Sequence, residues 1–102
     1  MTTIAVLVKV KEGVSPEDYE RWVLESYAPA VRELPSVSAW RNHKVGGVLG
    51  SDEAPPYDYV VTLQVEDLAQ LGEEMAEDRT RALLSELHGY TEVTQLVAER
   101  FV

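Results

Sequence analysis

Between residues 3 and 10 hydrophobic positions recur with a period of two. Ile4, Val6, Val8 and Val10 share one face, and Ala5, Leu7 and Lys9 share the other. A strand with one fully apolar and one mostly apolar face predicts coverage on both sides. Gly13 marks the turn that follows. Ser15-Pro16-Glu17-Asp18 then reads as a helix start. Ser15 can cap, Pro16 suits the first helical position, and acids in the first turn complement the helix dipole. Tyr19, Trp22, Val23, Ser26, Ala30, Val31 and Leu34 recur at helical spacing, opposite Glu17, Glu20, Arg21, Glu25 and Arg32. Pro29 predicts a kink or a division near Tyr27-Ala28, and Pro35 an end.

Residues 36–45 read as a second strand, followed by a glycine- and proline-rich connection over 46–56 that is longer than an ordinary hairpin loop. Residues 57–65 are the clearest strand. Tyr57, Tyr59, Val61, Leu63 and Val65 form one face, and Asp58, Val60, Thr62 and Gln64 the more polar other. Glu66-Asp67 opens a helix with Leu68, Leu71 and Met75 on one stripe. The stripe breaks over residues 76–80 and resumes at Leu83, Leu84 and Leu87, which fits two consecutive helices or one kinked helix. Gly89 is the expected stop. Alternation returns over residues 92–101 through Val93, Gln95 and Val97.

The order strand, helix, strand, strand, helix, strand predicts an α+β, ferredoxin-like βαββαβ sandwich, with a four-stranded antiparallel sheet and helices on one face. The helices leave the face carrying Ala5, Leu7, Val60 and Thr62 uncovered. A second copy of the sheet covers it economically, giving a dimeric α/β barrel and an expected homodimer.

A chain of 102 residues is one domain, expected over residues 1–102. A domain this small buries only about 60–70% of its unfolded surface, so an interface helps it. There is no cysteine, which removes disulfides, thiolate nucleophiles and cysteine metal sites together. The run Met1–Val8 has no basic segment before it and Lys9 and Lys11 after it, so it reads as a strand rather than a signal peptide. No apolar run approaches the ~20 residues of a membrane helix. Together these predict a soluble, cytoplasmic protein with no membrane partner. The net charge of −9 repels nucleic acid and anionic lipid, and no basic patch offsets it.

Two histidines are the natural proton carriers near neutral pH. His43 shares a strand face with Val37, Ala39 and Arg41, a face that parity alone assigns neither to a cavity nor to solvent. His88 sits at the end of the last helix, where a cation suits the dipole. Asp58 lies between two tyrosines on the more polar strand face, placed to act as a base, to orient a histidine, or to bond backbone. Those three are the catalytic candidates. Tyr27, Trp40, Tyr57 and Tyr59 are the candidates for binding a planar ligand, although buried aromatics also serve simply as core. No metal-ligand spacing accompanies the histidines. Gly46-Gly47-Val48-Leu49-Gly50 lacks the lysine and helix of a phosphate loop, and no serine sits in a nucleophile elbow.

Leu34-Pro35-Ser36-Val37, the Trp40–Lys44 strand and Pro56-Tyr57-Asp58-Tyr59-Val60 resemble the RedY-like (HapK) family of the dimeric α/β-barrel superfamily. The resemblance is densest from Asp18 to Val65 and covers the whole chain in architecture. It implies a small homodimer of bacterial specialised metabolism that acts on a reactive aromatic intermediate without metal or organic cofactor. The reading that follows is a cofactor-independent enzyme on a pyrrolic, indolic or polyketide-like molecule, of cyclase, isomerase or condensation type. In it His43 or His88 moves a proton, supported by Asp58 or a tyrosine. A non-catalytic carrier of such a molecule and a small quinol- or haem-directed monooxygenase are the alternatives.

Overall fold

In a computed structural model, which describes residues 2–102, four strands form one antiparallel sheet in the order β2-β3-β1-β4. Met1, the first residue of the N-terminal run read as strand, lies outside the described residues. The elements are β1 (Thr2–Val10), α1 (Pro16–Trp22), a π-helical segment (Val23–Tyr27), α2 (Ala28–Arg32), β2 (Val37–Lys44), β3 (Tyr59–Val65), α3 (Leu68–Met75), α4 (Asp78–Tyr90) and β4 (Thr91–Glu99). This is the ferredoxin-like βαββαβ arrangement, with the second helical layer divided into α3 and α4.

β1 lies at the centre, pairing Val6 with Val61 of β3 and with Gln95 of β4. Its inner face carries Ile4, Val6 and Val8, and β3 adds Tyr59, Val61, Leu63 and Val65, all buried. Each fully buried valine of this set contributes about 1.5–3 kcal/mol through removal of apolar surface from water. Against them pack Tyr19, Trp22, Val23, Tyr27, Ala28 and Val31 from the first helical layer, and Leu71 and Leu87 from the second. Thr3, Ala5, Leu7, Val60, Thr62 and Gln64 occupy the opposite face, half-buried by their own neighbours, and no helix covers them.

The first helical layer starts as expected. Ser15 accepts the Asp18 N–H at 3.1 Å, and Pro16 occupies the first turn. Its interior departs from a uniform helical stripe. A proline at position 29 has no N–H for the Glu25 carbonyl, and its ring would press against that carbonyl in an α-helix. The chain answers by widening: the Ala28 N–H bonds the Val23 carbonyl five residues back. The extra residue moves the buried positions from Trp22 and Val23 to Tyr27 and Ala28 and leaves Ser26 half-exposed. Such π-turns are rare and concentrate at functional sites.

Three other boundaries shift. β3 begins at Tyr59 rather than at residue 57: Asp58 still bonds both neighbouring strands through its backbone, its N–H donating to the Val8 carbonyl at 2.7 Å and its carbonyl accepting the Val45 N–H at 2.9 Å, but the next β1 donor, the Val10 N–H, goes to the Asp58 side chain at 2.8 Å. α4 continues through Gly89 to Tyr90 and passes directly into β4 at Thr91, whose hydroxyl donates to the Leu87 carbonyl at 2.7 Å. The long connection between β2 and β3 closes at its base through that Val45–Asp58 bond and is tightened by a turn at Gly50, whose φ of +74° suits glycine.

Candidate functional site

A cavity of about 340 Å³ lies between the helices and the inner face of the sheet. It is therefore an intramolecular space, on the opposite side of the sheet from the uncovered face. Ile4, Val6 and Leu63 form its floor, Val31 and Leu34 one wall, and Leu71, Met75, Leu83 and Leu84 the other. Leu68 (45% exposed) and Val97 (61% exposed) mark the side on which it opens. Arg79 stands on the lining and pairs with Glu33 at 3.7 Å across exposed surface. This ion pair joins the end of the first helical layer to the start of α4. Thr80 and Gln95 are further polar lining residues. The volume suits one small organic molecule, and the wall is overwhelmingly hydrocarbon, as in pockets that take apolar ligands.

Two aromatic residues complete the lining, Tyr27 from the π-segment and Trp40 from β2. Their rings meet edge-on, with centroids 5.4 Å apart and planes at 80°. Trp22 stacks on Tyr27 at 5.1 Å and contacts Tyr90 at 5.3 Å. Its indole N–H donates to Glu86 at 2.9 Å, tying the end of α1 to α4. The Arg32 guanidinium lies 5.4 Å from the centre of the Trp40 ring, near its outer side. Burial pushes the Tyr27 hydroxyl far above the ordinary tyrosine range, so it is protonated at any physiological pH.

On the far side of Trp40 lies a second, shallower cleft, lined among others by Tyr19, Glu20, Asn42, Lys44 and Tyr59. Tyr19 packs on Tyr59 at 4.8 Å. The Tyr59 hydroxyl donates to Glu20 at 2.6 Å, and Lys44 donates to the same carboxylate at 2.9 Å. The Tyr59 bond and then Lys44 hold Glu20 below its usual range. Desolvation and the Glu20 carboxylate together raise Tyr59. Three buried polar atoms around this partition have no hydrogen-bond partner within the described protein: Tyr19 Oη, Trp40 Nε1 and Asn42 Oδ1.

Of the residues singled out from sequence, Tyr27 and Trp40 come together on the cavity. Tyr59 is buried one layer away in the second cleft, and Tyr57, ahead of β3, does not line the cavity. His43 pairs with Val60 on the uncovered sheet face and is exposed; His88 is exposed on α4. The Asp58 carboxylate accepts the Val10 N–H at 2.8 Å, extending the β1–β3 pairing by one step. The three catalytic candidates therefore neither adjoin one another in the cavity nor line it. Sequence reasoning missed Tyr19 and Asn42. Asn42 was within reach, because it shares strand parity with Trp40; what was lacking was knowledge of which parity faces inward. No group of three or more histidine or acidic side chains able to hold a metal ion occurs among the described residues. Among the described residues no helix is long and apolar enough to cross a membrane.

Comparison with solved structures gives the same architecture repeatedly. HapK from Hahella chejuensis superposes with a TM-score of 0.82 at 24% identity, over 99% of this chain and 93% of that one. A mutant form of SnoaB, a cofactor-independent oxygenase from Streptomyces nogalater, gives 0.77 at 13% identity, over 99% of this chain and 93% of that one. A dimeric ferredoxin-like protein of unknown function from Thermobifida fusca gives 0.72 at 16% identity, over 97% and 90%. No curated protein sequence matches the chain. Residues 2–101 match the family described as REDY-like protein HapK, and the chain belongs to that family.

Proposed function

We propose that this protein is a homodimeric enzyme of bacterial specialised metabolism that encloses a flat, reactive aromatic intermediate (pyrrolic, indolic or polyketide-like) and directs its reaction by confinement. The observation that carries the reading is the 340 Å³ hydrocarbon cavity with Tyr27 and Trp40 in its wall. A dry site of that kind holds one conformer of an unstable molecule and keeps water from it, which lowers the entropic part of the barrier. Family membership and the likeness to a cofactor-independent oxygenase support the class of chemistry. The dimer is supported by the uncovered sheet face and by the dimeric ferredoxin-like neighbour.

One observation favours the carrier alternative: the lining contains no histidine and no carboxylate, and its titratable groups are Tyr27 and Arg79. Proton transfer by His43 or His88, supported by Asp58, would need the partner's surface or a ligand that extends beyond the cavity.

Filling the cavity tests the reading. Gly72 lies on the lining, and a Cβ added there meets nothing within 4 Å. Gly72→Phe is expected to abolish saturable tryptophan quenching by pyrrolic, indolic and naphthoquinone probes while leaving fold and dimer intact. Undiminished binding in this variant would refute the assignment of the cavity. Product formation separates enzyme from carrier. Unchanged turnover in His43→Ala, His88→Ala and the double variant would remove the histidines from the proton transfer.

A further inference from the structure

The cleft on the far side of Trp40 is a groove of about 280 Å³ between the first helical layer and β2, the edge strand of the sheet. Glu20, Leu24, Ala28 and Arg32 recur every four residues along its helical wall, and Trp40 and Lys44 belong to its strand wall. Residues four apart drift around a regular α-helix, because a turn takes about 3.6 residues. The wider π-turn ahead of Ala28 takes up part of that drift and keeps the four on one wall. Two contacts cross the groove from helix to strand. At one end Lys44 donates to Glu20 at 2.9 Å; at the other the Arg32 guanidinium stands 5.4 Å from the centre of the Trp40 ring. Trp40 and Lys44 are four residues apart on an extended strand, so the two ends lie roughly 13 Å from each other.

The ends differ in charge. Glu20 is answered twice at one oxygen, by Lys44 and by the Tyr59 hydroxyl at 2.6 Å. Arg32 is exposed, and among the described residues its guanidinium has no ion pair and no hydrogen bond. The ring beside it restricts the guanidinium while leaving its N–H groups, which can only donate, open to an acceptor. Between the ends lies apolar surface: the Trp40 ring, Ala28 and Leu24, which is 74% exposed. From this arrangement we infer that the groove is a second ligand site, separate from the cavity, and that it takes a flat aromatic carboxylate. The rings lie along Leu24 and Ala28, and the carboxylate meets the planar Arg32 fork, which matches two oxygens at once. Covering Leu24 removes apolar surface from water. The Lys44 end, already neutralised by Glu20, offers a carboxylate little. The site does not depend on the cavity being a ligand site.

The matched probes are 2-naphthoate and 2-naphthamide, which share a ring system and differ in charge. On a chain of net charge −9 the default for an anion is repulsion, so a preference for the carboxylate requires a local cation. Calorimetric titration is expected to show 2-naphthoate bound at least about tenfold more tightly than the amide. In Arg32→Gln, a change at an exposed position, the ratio is expected to fall to within about threefold. Leu24→Asn should weaken both probes alike and leave the ratio unchanged. Gly72→Phe, which fills the cavity and not the groove, should leave 2-naphthoate binding intact. Equal affinity for the two probes, a carboxylate preference that survives Arg32→Gln, or no binding of either probe overturns the groove site. Loss of 2-naphthoate binding in Gly72→Phe also overturns it, by placing the probe in the cavity.

Discussion

Glu74 offers a sharp test of how the cavity wall is held. This carboxylate, on α3, is 6% exposed, and Ser36, in the turn before β2, is 1% exposed. The Ser36 hydroxyl donates to Glu74 Oε1 at 2.7 Å, while the Ser36 N–H approaches both carboxylate oxygens at 3.3 and 3.4 Å. The hydroxyl bond is short and charge-assisted; the backbone contacts are long and weak. A hydrogen bond to a charged group is worth about 1.5–3 kcal/mol, and stranding a buried donor costs about 1–3 kcal/mol. Glu74→Ala removes the acceptor and strands both Ser36 donors, so a loss of about 3 kcal/mol is expected. For a chain of this length that lowers Tm by roughly 10–20 °C. α3 also supplies Leu68, Leu71, Gly72 and Met75 to the cavity, so weaker ligand binding should accompany the loss. The assay is a double-mutant cycle with Ser36→Ala by urea unfolding at one protomer concentration, since the proposed dimerisation would make stability concentration-dependent. A coupling of about 1.5–2 kcal/mol is expected. Additivity within about 0.5 kcal/mol would show that the two residues act independently and would refute the coupling of Ser36 to Glu74.

Two other perturbations address the sheet and the aromatic cluster. Leu7 sits mid-strand on the uncovered face, opposite Val60 and Thr94. Leu7→Asp is expected to give a monomer by analytical ultracentrifugation without disturbing the helix-side core; an unaltered dimer would place the interface elsewhere. Alkaline pH is the third test. Tyr19 and Tyr27 are raised above the ordinary tyrosine value of 10.0, in both cases chiefly by burial, and Tyr59 by desolvation and the Glu20 carboxylate. A raised value means the folded state holds its proton more tightly than the unfolded chain. That contribution is complete below about pH 10 and is lost as pH rises from there through the folded values. Thermal melts between about pH 9 and about 12 should therefore show a falling Tm, with a shallower fall in Tyr27→Phe. Equal slopes in wild type and variant would argue against the buried hydroxyl.

The element order, the inner face of β1 and of β3, the Ser15 cap and the break between α3 and α4 were all legible in the chain. Each is written locally: a two-residue period for strands, a helical stripe that stops and restarts, a hydroxyl before a proline and two acids. Family membership was legible as well, carried by short motifs that mark strand ends. Tyr27 and Trp40 could be named as aromatic candidates because large rings in a small apolar core have few places to go. The turn of helix around Tyr27 was only half legible. Pro29 announces a disturbance, but whether the chain bends, breaks or widens depends on what the neighbouring sheet and helices accommodate, and here the packing of Trp22, Tyr27 and Trp40 accompanies a π-turn.

What tertiary structure alone decided is which parity of β2 faces inward, and so the whole composition of the site. Alternation says that His43 and Trp40 point to opposite sides of the strand; only the pairing of β2 with β3 sends Trp40 to the helices and His43 to the uncovered face. The same holds for Asp58: the sequence left base, histidine-orienting and backbone-bonding roles open, and the fold places its carboxylate on the Val10 N–H. Strand period and helix propensity act over a few residues and can be read in order along the chain. A cavity is bounded by residues as distant as Ile4 and Val97, and its existence depends on how closely the two layers approach, a quantity that no local stretch of sequence contains.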